Sequence, residues 1–172
     1  MNLDQVLIRQ ETKDDIELIT EIHDLAFSQP NEGRLVNLLR KENYFEPSMS
    51  LIAELKGEII GHILFSNLEC KFDEKKRAVA LAPVAIKPKF QNQGVGSKLI
   101  TFGVKEISKL GYDAVLVLGE PNYYKRFEFS RSVVEHVQCP YQCEAFLGLE
   151  FKKGTLAKCQ SVVYPKPFEQ VG

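Results

Sequence analysis

A glycine-containing turn is the stretch of this chain whose residue types are best suited to chemistry. Gly94 and Gly96 follow an apolar run, 78–86, and open an amphipathic run that continues to Leu110. A strand that leads into a helix through such a turn leaves several backbone N–H groups without intrahelical partners. These groups favour a negative charge, so the sequence predicts an anion site. The candidate binding residues are Gln91, Asn92, Gln93, Gly94, Val95, Gly96 and Ser97.

Two common nucleotide-binding turns do not fit this stretch. A P-loop ends in Gly-Lys-Ser/Thr with another glycine five residues earlier, whereas here Gly96 is followed by Ser97 and then Lys98. A dinucleotide-binding turn needs a third glycine where Leu99 stands, and an acidic residue about twenty positions later at the end of a second parallel strand. Binding of a nucleoside triphosphate or a dinucleotide is therefore disfavoured.

A proline interrupts the apolar run that precedes the turn. Pro83 cannot donate a hydrogen bond to a neighbouring strand, so it predicts a sheet edge or a bulge at this point. A bulge releases nearby backbone groups from pairing. We therefore expect the backbone of Val84, Ala85 and Ile86 to be available to a ligand.

The elements that must position these residues follow from hydrophobic spacing. Strands are predicted at 6–9, 51–55, 58–66, 78–86 and 114–118, with further candidates at 144–150 and 155–163. The first predicted helix begins after a cap at Thr12 and ends at residue 27. Further helices are predicted around 35–39, over 94–110 and in a short segment from Pro121. The charged stretch 71–77 is predicted to be a turn. This order indicates a mixed α/β (α+β) fold with an antiparallel front and a parallel step near the glycine turn, in one domain spanning 1–172.

Bulk composition narrows the class of partner. The chain has 22 basic and 23 acidic residues, a formal net charge of -1. This balance gives no broad basic surface for nucleic acid or an anionic membrane. No apolar run approaches the roughly 18 residues that a membrane span needs. We expect a soluble protein whose anion is bound locally.

The four cysteines indicate a reducing compartment. Cys70, Cys139, Cys143 and Cys159 lack the paired C-x-x-C spacing of zinc sites, and no signal peptide is evident. Reduced thiols and a cytoplasmic location are the expectation. A metal site at Cys139 and Cys143, with His136 upstream, is the alternative, but no second ligand pair accompanies it. We expect no metal.

The motifs taken together resemble those of a known enzyme family. The Gln91–Gly96 turn resembles the acyl-CoA pyrophosphate loop of the GNAT superfamily of N-acetyltransferases, and the strand at 82–86 and the segment at 123–129 fall where that family has them. The C-terminal strands resemble those of a bacterial subgroup of predicted acetyltransferases. The resemblance implies a GNAT-like fold, with a central mixed, mostly antiparallel sheet, a bulged and splayed strand, and flanking helices.

The resemblance also implies a ligand and a catalytic residue. Coenzyme A carries a pyrophosphate that suits the glycine turn and an amide-rich pantetheine arm that suits the freed strand backbone. By the same resemblance Tyr124 is the general acid that protonates the departing thiolate. Glu128 stands where the family has glycine, and the effect of this replacement is left open.

The general base is not specified by a motif. Direct attack on a thioester requires a neutral amine and a group that receives its proton. Glu120 is the first candidate because it follows a buried strand and precedes the tyrosine segment, and Glu32 and His23 come next.

The predicted function is acetyl transfer from acetyl-CoA, the co-substrate, to a primary amine in a ternary complex. The acceptor, a small molecule or a peptide, is left open, as is the oligomeric state, with a homodimer as one option. One alternative is a catalytically silent acyl-CoA sensor or interaction module of the same fold. Another is an unrelated α/β scaffold whose glycine turn is only structural. The C-terminal strands either wall the acceptor pocket or complete the sheet.

Overall fold

A computed structural model describes residues 1–171 and contains one large and one small sheet. The strands are β1 (Val6–Gln10), β2 (Ser50–Leu55), β3 (Glu58–Asn67), β4 (Glu69–Phe72), β5 (Ala78–Ile86), β6 (Ala114–Leu118), β7 (Phe146–Glu150) and β8 (Cys159–Val163). The helices are α1 (Ile16–Phe27), α2 (Asn31–Lys41), α3 (Val95–Lys109), α4 (Pro121–Tyr124) and α5 (Pro167–Gln170). The large sheet has the order β1-β2-β3-β5-β6-β7 and is antiparallel except for the β5–β6 pair. The expected mixed, mostly antiparallel sheet is confirmed.

Helices cover both faces of this sheet. Gly61 of β3 faces α3, because a Cβ there would lie 3.2 Å from Leu99 Cδ1. The next residue, His62, points to the opposite face and contacts His23 of α1. Adjacent strand residues point to opposite faces, so α1 and α3 lie on opposite sides of the sheet.

The start of α1 is fixed by a charged contact. Asp15 accepts the Thr12 backbone N–H at 2.7 Å and two Arg9 guanidinium hydrogen bonds at 2.8 and 3.0 Å. These contacts lower the pKa of Asp15 to about 2, chiefly through Arg9. The carboxylate therefore ties β1 to the beginning of α1.

The bulge predicted at Pro83 is present in β5. Ile63 pairs with Val84, but Phe65 pairs with Leu81, so two β5 residues oppose one residue of β3. On its other side, β5 pairs with β6 only as far as Leu81 and Val117. Beyond that point the two parallel strands diverge, and the last residues of β5 keep a partner on one side only, within the described sheet.

The C-terminal third differs in part from the sequence prediction. The stretch 71–77 was predicted to be a turn, but Lys71 and Phe72 belong to β4, which pairs with β8 in the small sheet. Of the predicted strand 155–163, only Cys159–Val163 is extended. β7 joins β6 and completes the large sheet. Strand pairing between segments about 90 positions apart depends on tertiary contacts, which a local pattern does not encode.

The longest helix, α3, has 15 residues. No helix within residues 1–171 combines the length and the apolar character that crossing a bilayer would require.

Candidate functional site

A cavity of about 580 Å³ opens where β5 diverges from β6. Its walls come from the end of β5, the glycine turn, the C-terminal end of α1 and the segment after β6. The lining residues are Ala26, Phe27, Val84, Ala85, Ile86, Gln91, Asn92, Gly94, Gly96, Ser97, Tyr123 and Arg126. Eight of the ten binding residues predicted from the sequence line this one cavity; Gln93 and Val95 do not.

The strand side of the cavity presents backbone. The β3 strand pairs with Val84, Ala85 and Ile86 on one side, while their side toward β6 lies beyond the last β5–β6 pair. Gln91 donates its side-chain amide to the Ile86 carbonyl at 2.9 Å and so holds the turn against the strand end. The remaining free edge offers hydrogen-bonding groups to an extended, amide-containing ligand.

The glycine turn forms the other side. Gly94 caps α3 with a φ of 92°, a left-handed conformation that glycine adopts without steric cost. A Cβ on Gly94 would also lie only 2.7 Å from Leu3 Cδ1. The backbone N–H groups of Val95, Gly96 and Ser97 stand in the first turn of α3, where the helix supplies no acceptor. The cavity therefore ends at a helix N-terminus.

Three residues in or next to the glycine turn do not line the cavity and make structural contacts. The Gln93 side chain is exposed and donates to the Lys89 carbonyl. Val95 is buried in the core. Lys98, in the first turn of α3, donates its ammonium to the carbonyls of Leu3 and Val6, each at 2.7 Å.

Arg126 was not predicted as a site residue. Its guanidinium lies 4.6 Å from the centroid of the Tyr123 ring and donates to Ser97 Oγ at 3.0 Å. It thereby adds a cation beside the N-terminus of α3. Nothing in the local sequence distinguishes Arg126 from its basic neighbour Lys125, so the sequence carried little signal for this role.

Tyr124 lies directly behind the lining residue Tyr123. Tyr124 is 8% exposed, and its ring packs against Gly119, where a Cβ would lie 2.2 Å from it. The two tyrosine rings meet edge to face with centroids 5.2 Å apart. Burial, with a smaller effect of Tyr123, raises the pKa of Tyr124 to about 12. Its hydroxyl is therefore protonated at neutral pH.

The three candidates for the base lie in different environments. Glu120 is exposed and caps α4 by accepting the Tyr123 backbone N–H at 2.7 Å. Glu32 accepts the side-chain amide of Gln29 at 2.8 Å. His23 is fully buried and contacts His62. The structure thus places only His23 in the interior.

Residues 1–171 contain no group of three or more His, Cys, Asp or Glu side chains arranged to hold a metal ion. The four cysteines are not in disulfide bonds.

Comparison with known sequences identifies similar proteins. A model of the "Acetyltransferase (GNAT) family" matches residues 16–129. The uncharacterized N-acetyltransferase YjhQ of Escherichia coli K12 is 36% identical over 118 residues, which cover 68% of this chain and 65% of YjhQ. The uncharacterized N-acetyltransferase YhbS of the same strain is 30% identical over 135 residues, which cover 78% of this chain and 79% of YhbS.

Solved structures give the same result. A crystal structure of E. coli YhbS in complex with CoA superposes with a TM-score of 0.88 at 28% identity, covering 98% of this chain and 94% of that one. A GNAT family acetyltransferase from Brucella melitensis in complex with acetyl-CoA gives a TM-score of 0.77 at 29% identity, covering 95% and 97%.

Proposed function

Because the chain belongs to the acetyltransferase (GNAT) family, we propose that it transfers the acetyl group of acetyl-CoA to a primary amine. The observation that carries this proposal is the cavity between the diverging strands, which joins a free strand edge to a helix N-terminus. The two solved relatives hold CoA and acetyl-CoA.

The two ends of the cavity suit the two parts of the coenzyme. The pyrophosphate would accept hydrogen bonds from the N–H groups of the first turn of α3, and Arg126 would supply a positive charge beside them. The amides of the pantetheine arm would pair with the backbone of Val84, Ala85 and Ile86 along the free edge of β5. Glycine at position 96 keeps this approach open, since a Cβ there would lie 3.3 Å from the Tyr123 hydroxyl.

The reaction is a direct attack in a ternary complex. The neutral amine attacks the thioester carbonyl, a C–N bond forms, and the C–S bond breaks. A backbone N–H near Val84 polarises the carbonyl. Tyr124, to which the family resemblance gives the role of general acid, donates its hydroxyl proton to the departing thiolate. The amine loses one proton, for which Glu120 is the candidate acceptor from the sequence. The acceptor amine belongs to a small molecule or to a peptide.

A direct assay tests the proposal. The protein is mixed with acetyl-CoA and, in separate reactions, ethanolamine, benzylamine, putrescine, Nα-acetyl-lysine amide and a peptide with a free N-terminus, and free thiol is measured. We expect acetyl-CoA to raise the melting temperature and one class of amine to release CoA. Binding without thiol release would favour the silent acyl-CoA sensor, and no binding would reject both functions.

A further inference from the structure

Four buried polar residues form a hydrogen-bonded chain behind the cavity. His23, His62 and Ser50 are 0% exposed, and Glu11 is 9% exposed. The chain begins at Glu11, which forms an ion pair with Arg40 through contacts of 2.8 and 3.1 Å. Ser50 donates its hydroxyl to Glu11. His62 Nε2 lies 2.7 Å from Ser50 Oγ, and His23 Nε2 lies 2.8 Å from His62 Nδ1.

The direction of every hydrogen bond in this chain is determined by its charged end. The Glu11 carboxylate is an acceptor, so the single Ser50 hydrogen points toward it. Ser50 Oγ must then accept, and the proton of neutral His62 therefore sits on Nε2. The Nδ1 atom of His62 is left as an acceptor, so His23 donates to it from Nε2. All donors in the chain point toward Glu11.

This arrangement leaves an available lone pair at the far end. His23 Nδ1 is buried and has no hydrogen-bond partner among Met1 to Val171. Leaving a buried acceptor unpaired costs about 1–3 kcal/mol, so such atoms are uncommon unless they serve a ligand or water. Burial lowers the pKa of His23 to about 4, and burial together with His23 and Arg40 places the pKa of His62 well below its usual value. Both rings are therefore neutral at physiological pH.

His23 is not itself a lining residue of the cavity, but it packs against one that is. Phe27, which lines the cavity, follows His23 by one helical turn, and their rings are parallel with centroids 6.1 Å apart. His62 is the register partner of Ala85 in the neighbouring strand, and Ala85 also lines the cavity. The histidine pair therefore joins α1 to β3, beside the strand against which we place the thioester.

We propose that His23 Nδ1 receives the proton that the acceptor amine loses, and that His62 and Ser50 pass a proton on to Glu11. This inference rests on the proposed function and replaces Glu120 as the destination of that proton.

In this transfer each intermediate group gains one proton and loses one, so neither histidine is charged when the transfer is complete. The N–H bond of the amine breaks and an H–Nδ1 bond forms on His23. The Nε2 proton of His23 moves to His62 Nδ1, the Nε2 proton of His62 moves to Ser50 Oγ, and the Ser50 proton moves to Glu11. Glu11 is then a neutral acid, and each ring is neutral in its other tautomer. A relay of this kind uses histidines of low basicity because neither has to hold the charge.

Imidazole NMR tests the ground state independently of activity. Protein labelled with 15N in its histidine rings and carrying His136→Gln, which removes the third histidine, is recorded at neutral pH. We expect two neutral rings, both protonated at Nε2. A ring protonated at Nδ1, or a charged ring, would contradict the deduced direction of the chain.

A pair of matched serine variants tests the relay during turnover. Ser50→Ala removes the link between His62 and Glu11. Ser66→Ala removes a hydroxyl that is equally buried, at 0% exposure, and unpartnered within the described chain. With the fastest amine of the panel, we expect Ser50→Ala to lower kcat about 10²-fold, the lower range for a positioned proton acceptor, with the KM of acetyl-CoA unchanged. Ser66→Ala should match the wild type.

Solvent isotope measurements separate a relay from a packing defect. In mixtures of H₂O and D₂O, a relay of several protons gives a curved dependence of kcat on the deuterium fraction, and Ser50→Ala should straighten it. Equal kcat values for the two serine variants would overturn the relay while leaving acetyl transfer intact, as would a loss confined to Glu120→Gln. A wild type that transfers no acetyl group to any amine would overturn the proposed function itself.

Discussion

At the scale of single residues, two adjacent tyrosines have different proposed roles. Tyr123 lines the cavity, whereas Tyr124 is buried behind it with its pKa raised to about 12. We expect Tyr124→Phe to lower kcat about 10²-fold or more while the Kd of acetyl-CoA stays constant, because only the proton donor is lost. Stopped-flow thiol release and calorimetry provide the two values. Tyr123→Phe is the control, and a larger loss of kcat in that variant would move the acid role to Tyr123.

A second residue-scale prediction concerns Arg126. Its guanidinium stands beside Ser97 at the start of α3, where we place the pyrophosphate. Arg126→Gln should weaken CoA binding about tenfold, since a hydrogen bond to a charged group contributes about 1.5–3 kcal/mol and part of it is screened by solvent. Calorimetry at two salt concentrations measures the loss. Lys125→Gln, an exposed neighbour outside the cavity lining, is the matched control, and equal losses in both variants would reduce Arg126 to a general charge effect.

At the scale of elements, the turn after α4 contains a conformation that the sequence alone did not reveal. Glu128 has a φ of 73°, in the left-handed region. Glycine, which the resemblance implies at this position, adopts such a conformation without steric cost. Glu128→Gly should therefore raise the free energy of unfolding by about 0.5–1 kcal/mol, the cost of a left-handed non-glycine residue less the added freedom of the unfolded chain. Urea unfolding measures the change.

The control for that substitution is Glu144→Gly. Glu144 is also exposed but is not among the residues with positive φ. Glycine there should lower stability, because it only adds freedom to the unfolded chain. Stabilisation in both variants would mean that backbone conformation is not the cause.

The elements also show what the sequence could and could not predict. Local periodicity and turn chemistry were sufficient for β1 to β3, for α1 to α3 and for the bulge at Pro83. They were insufficient for β4, because a short charged strand is stable only against its partner β8. The His23–Glu11 chain was also not predicted, since its four members come from separate segments and only the fold brings them together.

At the scale of the whole molecule, the buried histidines make stability depend on pH. The pKa of His23 is about 4 in the folded protein, below its ordinary value of 6.5. The unfolded chain therefore binds more protons between these values, so the stabilisation is complete above about pH 6.5 and is lost as pH falls toward 4. For His23 alone the loss is about 3 kcal/mol.

Urea unfolding at pH 7 and pH 4.5 measures this dependence. The urea concentration at half-unfolding should fall strongly between pH 7 and pH 4.5 in the wild type and less strongly in His23→Asn. His136→Gln, which alters an exposed histidine, should show the same fall as the wild type. If the urea midpoint of His23→Asn fell as much between pH 7 and pH 4.5 as that of the wild type, other groups would control acid unfolding. The stabilisation from Asp15, whose pKa is lowered from 3.8 to about 2, is present above about pH 4 and is lost only as pH falls below that value.

The hydrogen bonds from Lys98 to the carbonyls of Leu3 and Val6 have a consequence for the preparation of this protein. Leu3 also packs directly against Gly94, so the N-terminal residues support the glycine turn. Removing residues 1–4 would take away part of these contacts. Recombinant versions should therefore retain residues 1–4, and CoA affinity should be compared between protein with and without them.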